Sequence, residues 1–533
     1  MKIILAQIEA ETGKIDLNFE KIKANIIKAK EINADLIIFP EYALCGFPLG
    51  NILNRQKYLV NEQHEKILEL SKLTMGICAV IGFSDLSGQS NFVIIKDGEI
   101  IKENSITISN EKFYIITGEY NSALKTTDGN IIHLSASDSR NGKEYLKNKT
   151  FSKIAKDNEI YYIYANKVGY SDNRCFDGSS RIYDKNGTIS ARAKSFEEDF
   201  LIIENFKGRI ESLPEGSEIQ LSSEFKMEYE NDLERLYKSL SCGIKGYFRK
   251  NGFSKAVLGL SGGLDSTISA VLLVDALGKE NVVGISMPTK ISSQGSKDDA
   301  KELAKNLGIT YIEVPIGEEV DTFKTELTKI FNQINIDRYD YSTTFENVQA
   351  RTRATLLWSV SNEFKGMLPV ATSDKSEGYI GYATTNGDMS GAFAPISDVT
   401  KTKLFALGKF LNENRKEKNV IPQNILEKPP GAELKFDKEK GRTITAEEDN
   451  MPYPFLDEII WNVENFGLSI KELYKKEFYY EKTHSISKEQ KQEWLDKFSR
   501  KYKNAVFKWH LMPPGIITDT ATINQAEYYH PIA

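Results

Sequence analysis

The chain has 533 residues, with 69 Lys and Arg against 75 Asp and Glu and a formal charge of −6. So even a balance excludes a protein that coats nucleic acid by net charge, and 40% hydrophobic with 11% aromatic residues excludes a disordered or collagen-like chain. The length suits two large α/β units. No stretch reaches the about 18 uninterrupted apolar residues of a membrane helix, since Ile3-Ile4-Leu5-Ala6 is broken by Gln7 and Glu9. No signal peptide or anchor is read. Cys45, Cys78, Cys175 and Cys242 form no CxxC, so neither a disulfide framework nor a zinc site is expected, and the expected compartment is the cytosol.

From Met1 to about Asn205, short apolar runs alternate with polar helical stretches. Strands are predicted at Lys2 to Ala6, Asp35 to Phe39, Gly76 to Ile81, Asn91 to Ile95 and Tyr161 to Ala165, so residues 1–205 read as a layered α/β domain. Residues 206–228 carry Gly208, Pro214 and Gly216 without a sustained period and read as a linker. A second domain, 229–533, opens on a helical run from Tyr229 to Lys250. It then alternates strand Ala256 to Leu260, helix Ser266 to Leu277, strand Asn281 to Met287, helix Lys297 to Asn306 and strand Thr310 to Pro315. Strand starts at Ala256, Asn281 and Thr310 lie 25 and 29 residues apart, the span of a βαβ crossover, which predicts a doubly wound parallel sheet.

The most informative segment is Ser261-Gly262-Gly263-Leu264-Asp265-Ser266, directly after an apolar strand and opening a helix. Paired glycines let the backbone turn tightly and bring N–H groups to an anion, while serine hydroxyls and the positive end of the helix add donors. A pyrophosphate is the natural guest. Asp265 inside an anion site makes sense with a divalent cation between carboxylate and phosphate, which implies Mg2+. The turn is neither the Rossmann GxGxxG nor the Walker GxxxxGK[ST]. It is similar to the SGGxDS loop of the ATP pyrophosphatases, which adenylate a substrate and let a nitrogen or sulfur nucleophile displace AMP.

In order along the chain stand Met287-Pro288-Thr289 with Ser292-Ser293, Glu346 to Arg351, Gly387-Asp388-Met389, Ala394-Pro395-Ile396, Glu427-Lys428-Pro429-Pro430 and Tyr529 to Ala533. Together with the loop they resemble the synthetase half of glutamine-dependent NAD synthetase, over essentially the whole chain. The resemblance implies amidation of nicotinic acid adenine dinucleotide with ATP and Mg2+, releasing AMP and pyrophosphate. It implies that Ser261, Gly262, Gly263, Asp265, Ser266, Met287, Thr372 and Lys401 hold ATP. By the same likeness Asp265 and Glu377 are the metal ligands, Arg351, Asp388 and Lys428 face the dinucleotide, and Lys401 with Asp265 is catalytic. A homo-oligomer through the synthetase domain is expected, and no nucleic-acid or membrane partner. Three departures stand out. The family's TGNKSE reads Thr372-Ser373-Asp374-Lys375-Ser376-Glu377, adding a carboxylate near the metal; its YGD reads Asn386-Gly387-Asp388, losing an aromatic; and its Pro-Pro-Ser-Ala-Glu reads Pro429-Pro430-Gly431-Ala432-Glu433, losing a hydroxyl.

The first half, from Lys2-Ile3-Ile4-Leu5-Ala6-Gln7 through Phe39-Pro40-Glu41-Tyr42, Leu134-Ser135-Ala136-Ser137, Phe176 to Ser180 and Phe196-Glu197-Glu198-Asp199, resembles the nitrilase-like glutaminase fused to these synthetases. Such amidases need a Glu, a Lys and a Cys: the carboxylate takes the thiol proton, the thiolate attacks the amide carbon and the lysine steadies the oxyanion. Glu41 sits where the family keeps its general base. The region matching the lysine stretch, Glu103 to Asn110, contains no basic residue, and Asn121 to His133 is too short to hold both the nucleophile strand and the one leading to Leu134. The nucleophile strand is therefore expected to be missing, Glu41 to be vestigial, and ammonia to be the nitrogen source. The rivals are glutamine use through another nucleophile or a separate glutaminase, a mononucleotide acceptor, and a noncatalytic assembly or regulatory relative.

Overall fold

The computed structural model describes residues 1–49, 56, 58–85, 87–118, 128–209, 233–334, 341–428, 436–437, 442–443, 445–519 and 522–523. The chain divides into two compact units, Met1–Ile219 and Gln220–Ala533. Of the segment expected to be linker, Lys207–Gly208 forms the last strand of the first unit, and 210–228 lies outside the described residues.

The first unit is built on two sheets. One has seven strands, in the order Lys207–Gly208, Asp199–Glu204, Lys2–Gln7, Leu36–Ile38, Cys78–Ser84, Ser90–Lys96 and Glu99–Ile101. The other has six: Ile189–Arg192, Arg181–Tyr183, Tyr162–Asn166, Asn130–Ser135, Glu111–Thr117 and Ser105–Ile108. The continuous apolar run at the start follows from burial on both faces. Ile3 and Leu5 join a core with Phe113, Ile132, Leu134 and Ile163 of the second sheet. Their neighbours Ile4 and Ala6 join Phe19, Ile22 and Ile26 of helix Ile15–Glu31. On the far face of the second sheet, Phe151 and Ile154 of helix Lys143–Asp157 pack on Ile131, Tyr162 and Tyr164. The layers are thus helix, sheet, sheet, helix, and each fully buried Leu, Ile or Phe contributes about 1.5–3 kcal/mol.

The second unit carries a four-stranded sheet in the order Thr310–Glu313, Val282–Ser286, Lys255–Gly259 and Met367–Val370, every pair parallel. The chain leaves Lys255–Gly259 on one side toward Val282–Ser286, while the strand on its other side arrives only at Met367. That reversal is the switch point where a parallel sheet opens a crevice at its carboxyl edge. A helical layer follows, in which Phe455, Leu456 and Ile459 of helix Tyr453–Phe466 and Leu495 and Phe498 of helix Lys488–Trp509 close a core around Tyr379.

Candidate active site

The phosphate loop follows the strand Lys255–Gly259 and runs into helix Leu264–Leu277, whose N-cap Gly263 offers no side-chain cap to the first N–H groups. Those donors are left for a ligand. Gly262 has φ +74°, and a Cβ there would stand 2.1 Å from the Ser296 carbonyl oxygen, so only glycine fits between loop and neighbouring helix. Ser266 is buried and fastens the turn, its hydroxyl donating to Gly263 O at 3.1 Å and lying 3.1 Å from the Ser261 hydroxyl.

At the end of the adjacent strand Met367–Val370, Asp374 caps the short helix Lys375–Tyr379, accepting the Glu377 N–H at 3.0 Å. Two neighbouring strand ends therefore deliver Asp265 on one side and Asp374 with Glu377 on the other. One oxygen of each lies within 4.8 Å of the others. Lys401, the first residue of helix Lys401–Asn414, is fully buried and lodges its ammonium among them. Its Nζ is 2.7 Å from Asp265 Oδ2, 2.5 Å from Asp374 Oδ2 and 2.9 Å from Glu377 Oε1. Burial pushes the Lys401 amine down, but the Asp265, Asp374 and Glu377 carboxylates outweigh it and hold it well above the usual lysine value. Burial raises Asp265 and Asp374, with Lys401 pulling the other way and Glu377 adding to the rise. Three carboxylate oxygens around a seated cation are a donor set that fits Mg2+.

A cavity of about 320 Å3 opens over this cluster. Ser261, Gly263, Asp265 and Glu377 line it on the phosphate-loop side, and Met287, Thr372, Asp388 and Lys428 line it elsewhere. Burial drives the Asp388 carboxyl up to about 6, against the Thr384 N–H it accepts. Lys428 Nζ donates to Ser296 Oγ at 3.1 Å and pairs with Asp299 at 3.0 Å. Arg351 is placed elsewhere: it is exposed, and its Nε donates to Thr385 O at 3.2 Å. The arginine in the cavity wall is Arg353, held by Met287 O at 3.1 Å. Sequence reasoning passed over it, although a helical signal was there. Ala350, Arg353, Ala354 and Leu357 follow the i, i+3, i+4, i+7 stripe of helix Tyr341–Glu363 and all face the cavity. Pro429 to Glu433 and Tyr529 to Ala533 lie outside the described residues.

In the first unit, Glu41 is 6% exposed and accepts the Ala136 N–H at 2.8 Å. Burial pushes its carboxyl up, against the Ser90 hydroxyl and the Ala136 and Gly118 amides. Gly118 corrects the expectation of a missing strand. Residues Glu111–Thr117 form a strand parallel to Asn130–Ser135, in register from Phe113↔Asn130 to Thr117↔Leu134, and the chain reaches Glu41 at its end. Ser105–Ile108 hairpins onto it. The wall opposite Glu41 is thus present, supplied by residues before Asn121, and the residue it brings to the carboxylate is a glycine with φ +80°. Cys45 stands near Glu41 but is 1% exposed, and burial pushes its thiol up to about 12. Cys78 and Cys175 are buried as well.

Nucleotide-dependent ligases that form a C–N bond are the class to which this crevice belongs: residues 236–499 match the family described as NAD synthase. The likeness extends over both units. The chain is 32% identical to the glutamine-dependent NAD(+) synthetase of Thermotoga maritima over 539 aligned positions, covering 90% of this chain and 91% of that protein. It is 33% identical to that of a Synechocystis species over 521, covering 86% and 87%. Among solved structures, the glutamine-dependent NAD+ synthetase of Acinetobacter baumannii, in complex with ADP, superposes with a TM-score of 0.71 at 28% identity, covering 100% of this chain and 98% of that one. The Cytophaga hutchinsonii enzyme shares the fold at a TM-score of 0.82 and 19% identity, covering 100% and 97%. The chain belongs to the glutamine-dependent NAD synthetase family and is a ligase of NAD synthesis, with the nitrilase-like sandwich and the doubly wound ATP-pyrophosphatase sheet that the sequence implies. Among the described residues no helix is long and apolar enough to cross a membrane.

Proposed function

We propose that this chain makes NAD from nicotinic acid adenine dinucleotide, ATP and free ammonia, without hydrolysing glutamine by the family's route. The observation that carries the ammonia reading is Gly118, the residue its strand brings to Glu41. An amide carbon is a poor electrophile, and a general base with no thiol to deprotonate does not open it. Removing a member of such a unit costs on the order of 10⁴ to 10⁶ in rate in the serine-protease analogue. Cys45, buried with a raised thiol pKa, is a packing residue rather than a substitute nucleophile.

In the second unit, the N–H groups following Gly263 and the loop around Ser261 and Gly262 receive the ATP phosphates. Met287 and Thr372 wall the nucleotide, and Asp388 and Lys428 face the acid dinucleotide. The dinucleotide carboxylate attacks the α-phosphorus, pyrophosphate leaves, and ammonia displaces AMP from the acyl carbon. Lys401, held at Asp265 and Glu377, is within reach of the loop to meet phosphate charge as it develops. Asp265, Glu377 and Asp374 would hold Mg2+, which supplies charge neutralisation at the phosphates when bound. An oligomeric active form belongs to the same proposal.

The test is NAD formation by purified full-length protein with ATP, Mg2+ and the acid dinucleotide, comparing ammonium salts with glutamine at alkaline pH, where more ammonia is unprotonated. Ammonium supports synthesis; glutamine adds nothing beyond its trace ammonia, and no glutamate appears. Glutamate released in step with NAD, and stopped by a cysteine alkylator, would overturn the ammonia reading. Substituting the acid mononucleotide in the same assay decides the acceptor.

A further inference from the structure

Helix Tyr453–Phe466 meets the site along one face. Tyr453, Asp457 and Glu464 stand at i, i+4 and i+11, within about 40° of a common line at about 100° per residue. They engage three consecutive residues of the segment that carries Glu377. Glu464 Oε2 pairs with Lys375 Nζ at 2.8 Å, Asp457 Oδ1 accepts the Ser376 hydroxyl at 2.5 Å, and the Tyr453 hydroxyl donates to Glu377 Oε1 at 2.8 Å. The same face reaches the start of the Lys401 helix. Asp457 Oδ2 accepts the Thr402 N–H at 2.9 Å, and the Ser376 hydroxyl oxygen accepts the Lys401 N–H at 2.8 Å. Tyr453 is 5% exposed, and its ring centroid lies 5.2 Å from Lys401 Nζ.

From this one-to-one pairing we infer that Tyr453 is a positioning residue for Glu377, with Asp457 and Glu464 holding the segment behind it. A carboxylate on a five-residue helix at a strand end has rotamers to lose before it can act with Asp265. The Tyr453 hydroxyl removes that freedom by occupying one oxygen from a buried, rigid donor. Outer partners of this kind orient a ligand and tune its basicity without touching the cation. The inference rests on the reading of Glu377 as a cation ligand, and the experiment separates the two.

Mn2+ is titrated into nucleotide-free full-length protein, with free Mn2+ followed by electron paramagnetic resonance, for wild type, Tyr453→Phe, Asp457→Asn and Glu377→Gln. Tyr453→Phe keeps the ring and loses only the donor. It should weaken Mn2+ binding about 10-fold and shift the Mg2+ needed for half-maximal NAD formation by the same factor. The KM for the acid dinucleotide should stay within about twofold, a split that general unfolding would not give. Asp457→Asn, reporting independently if Tyr453→Phe folds poorly, should weaken Mn2+ in the same direction. Mn2+ binding lost in Glu377→Gln but untouched in Tyr453→Phe and Asp457→Asn would overturn the positioning role. Mn2+ binding untouched in Glu377→Gln would overturn the ligand reading itself, and the positioning role with it.

Discussion

Replacing Lys401 by Met should turn the second unit into one whose stability depends on a divalent cation. The side chain is fully buried, with three carboxylates at 2.5–2.9 Å. Met fills a similar volume, so the loss is one of charge. Removing one partner of a buried ion pair costs about 3–5 kcal/mol because the other is left uncompensated. At about 2 °C per kcal/mol for a unit of this size, that is a fall of roughly 6–10 °C in Tm. Asp265 and Glu377 keep side-chain exposures of 23% and 18% toward the cavity, which lets them take up protons or ions and places the cost at the lower end. In wild type an added cation must dislodge the Lys401 ammonium; in the variant the seat is open. Mg2+ at a hundred times its Kd should return about 2.7 kcal/mol to Lys401→Met, and distinctly less to wild type. Differential scanning fluorimetry in EDTA and in graded Mg2+ reads both arms. Turnover should fall by about 10²–10³, as for loss of a group stabilising transition-state charge, whatever the Mg2+ concentration. Equal melting of the two proteins in EDTA, or equal gains from Mg2+, would refute the assignment of Lys401 as the resident counter-charge of the cluster.

Two predictions concern the first unit. His133 is 2% exposed, with Nε2 2.8 Å from Gly118 O and Nδ1 2.8 Å from the Tyr162 hydroxyl, and burial brings its pKa down to about 4. The folded value lies below the unfolded one of about 6.5, so its contribution is complete above pH 6.5 and is lost as pH falls toward 4, about 3 kcal/mol in all; hydrogen exchange of Asn130–Ser135 should show the loss, and His133→Gln should flatten it. Glu41→Ala should destabilise this unit by about 1–3 kcal/mol, because it takes the acceptor from the Ala136 N–H. Glu41→Gln, which keeps an acceptor, should cost less than half as much, and denaturant unfolding that finds the two variants alike would contradict this account.

The phosphate loop and the rhythm of strands after it were legible because each rests on a local rule: paired glycines at a strand-to-helix turn, and an apolar run every 25 to 29 residues. The carboxylate partners of Lys401 were legible in part. Asp265 and Glu377 could be named from motifs and Asp374 as a carboxylate added near them, but that Asp374 reaches Lys401 and closes the ring depends on a side-chain direction that the backbone of Lys375–Tyr379 sets. Tyr453 and Asp457 gave no signal, since the hydrogen bonds they make to Glu377 and Ser376 span 76 and 81 residues. The strand Glu111–Thr117 was missed for a different reason. Its alternation of buried Phe113 and Ile115 is plain, yet the expectation was set by where a nucleophile ought to fall rather than by that period.

The persistence of Glu41 beside a glycine follows from where each residue's free energy lies. A side chain at the end of a buried strand contributes little to the core beneath it: Phe113, Ile115 and the ladder to Asn130–Ser135 hold Glu111–Thr117 in place without any side chain at residue 118. A nucleophile can therefore be absent there without cost to the fold. The carboxylate is in the opposite position. It is buried, it accepts the Ala136 N–H at 2.8 Å, and the Gly118 amide at the neighbouring strand end favours its charged form, so its loss would leave the half-buried Ala136 N–H without its protein acceptor. A carboxylate that also caps a strand end is under structural constraint whether or not it acts as a base. The presence of Glu41 is therefore no measure of amidase activity by itself, since its hydrogen bond to Ala136 gives it a structural role as well.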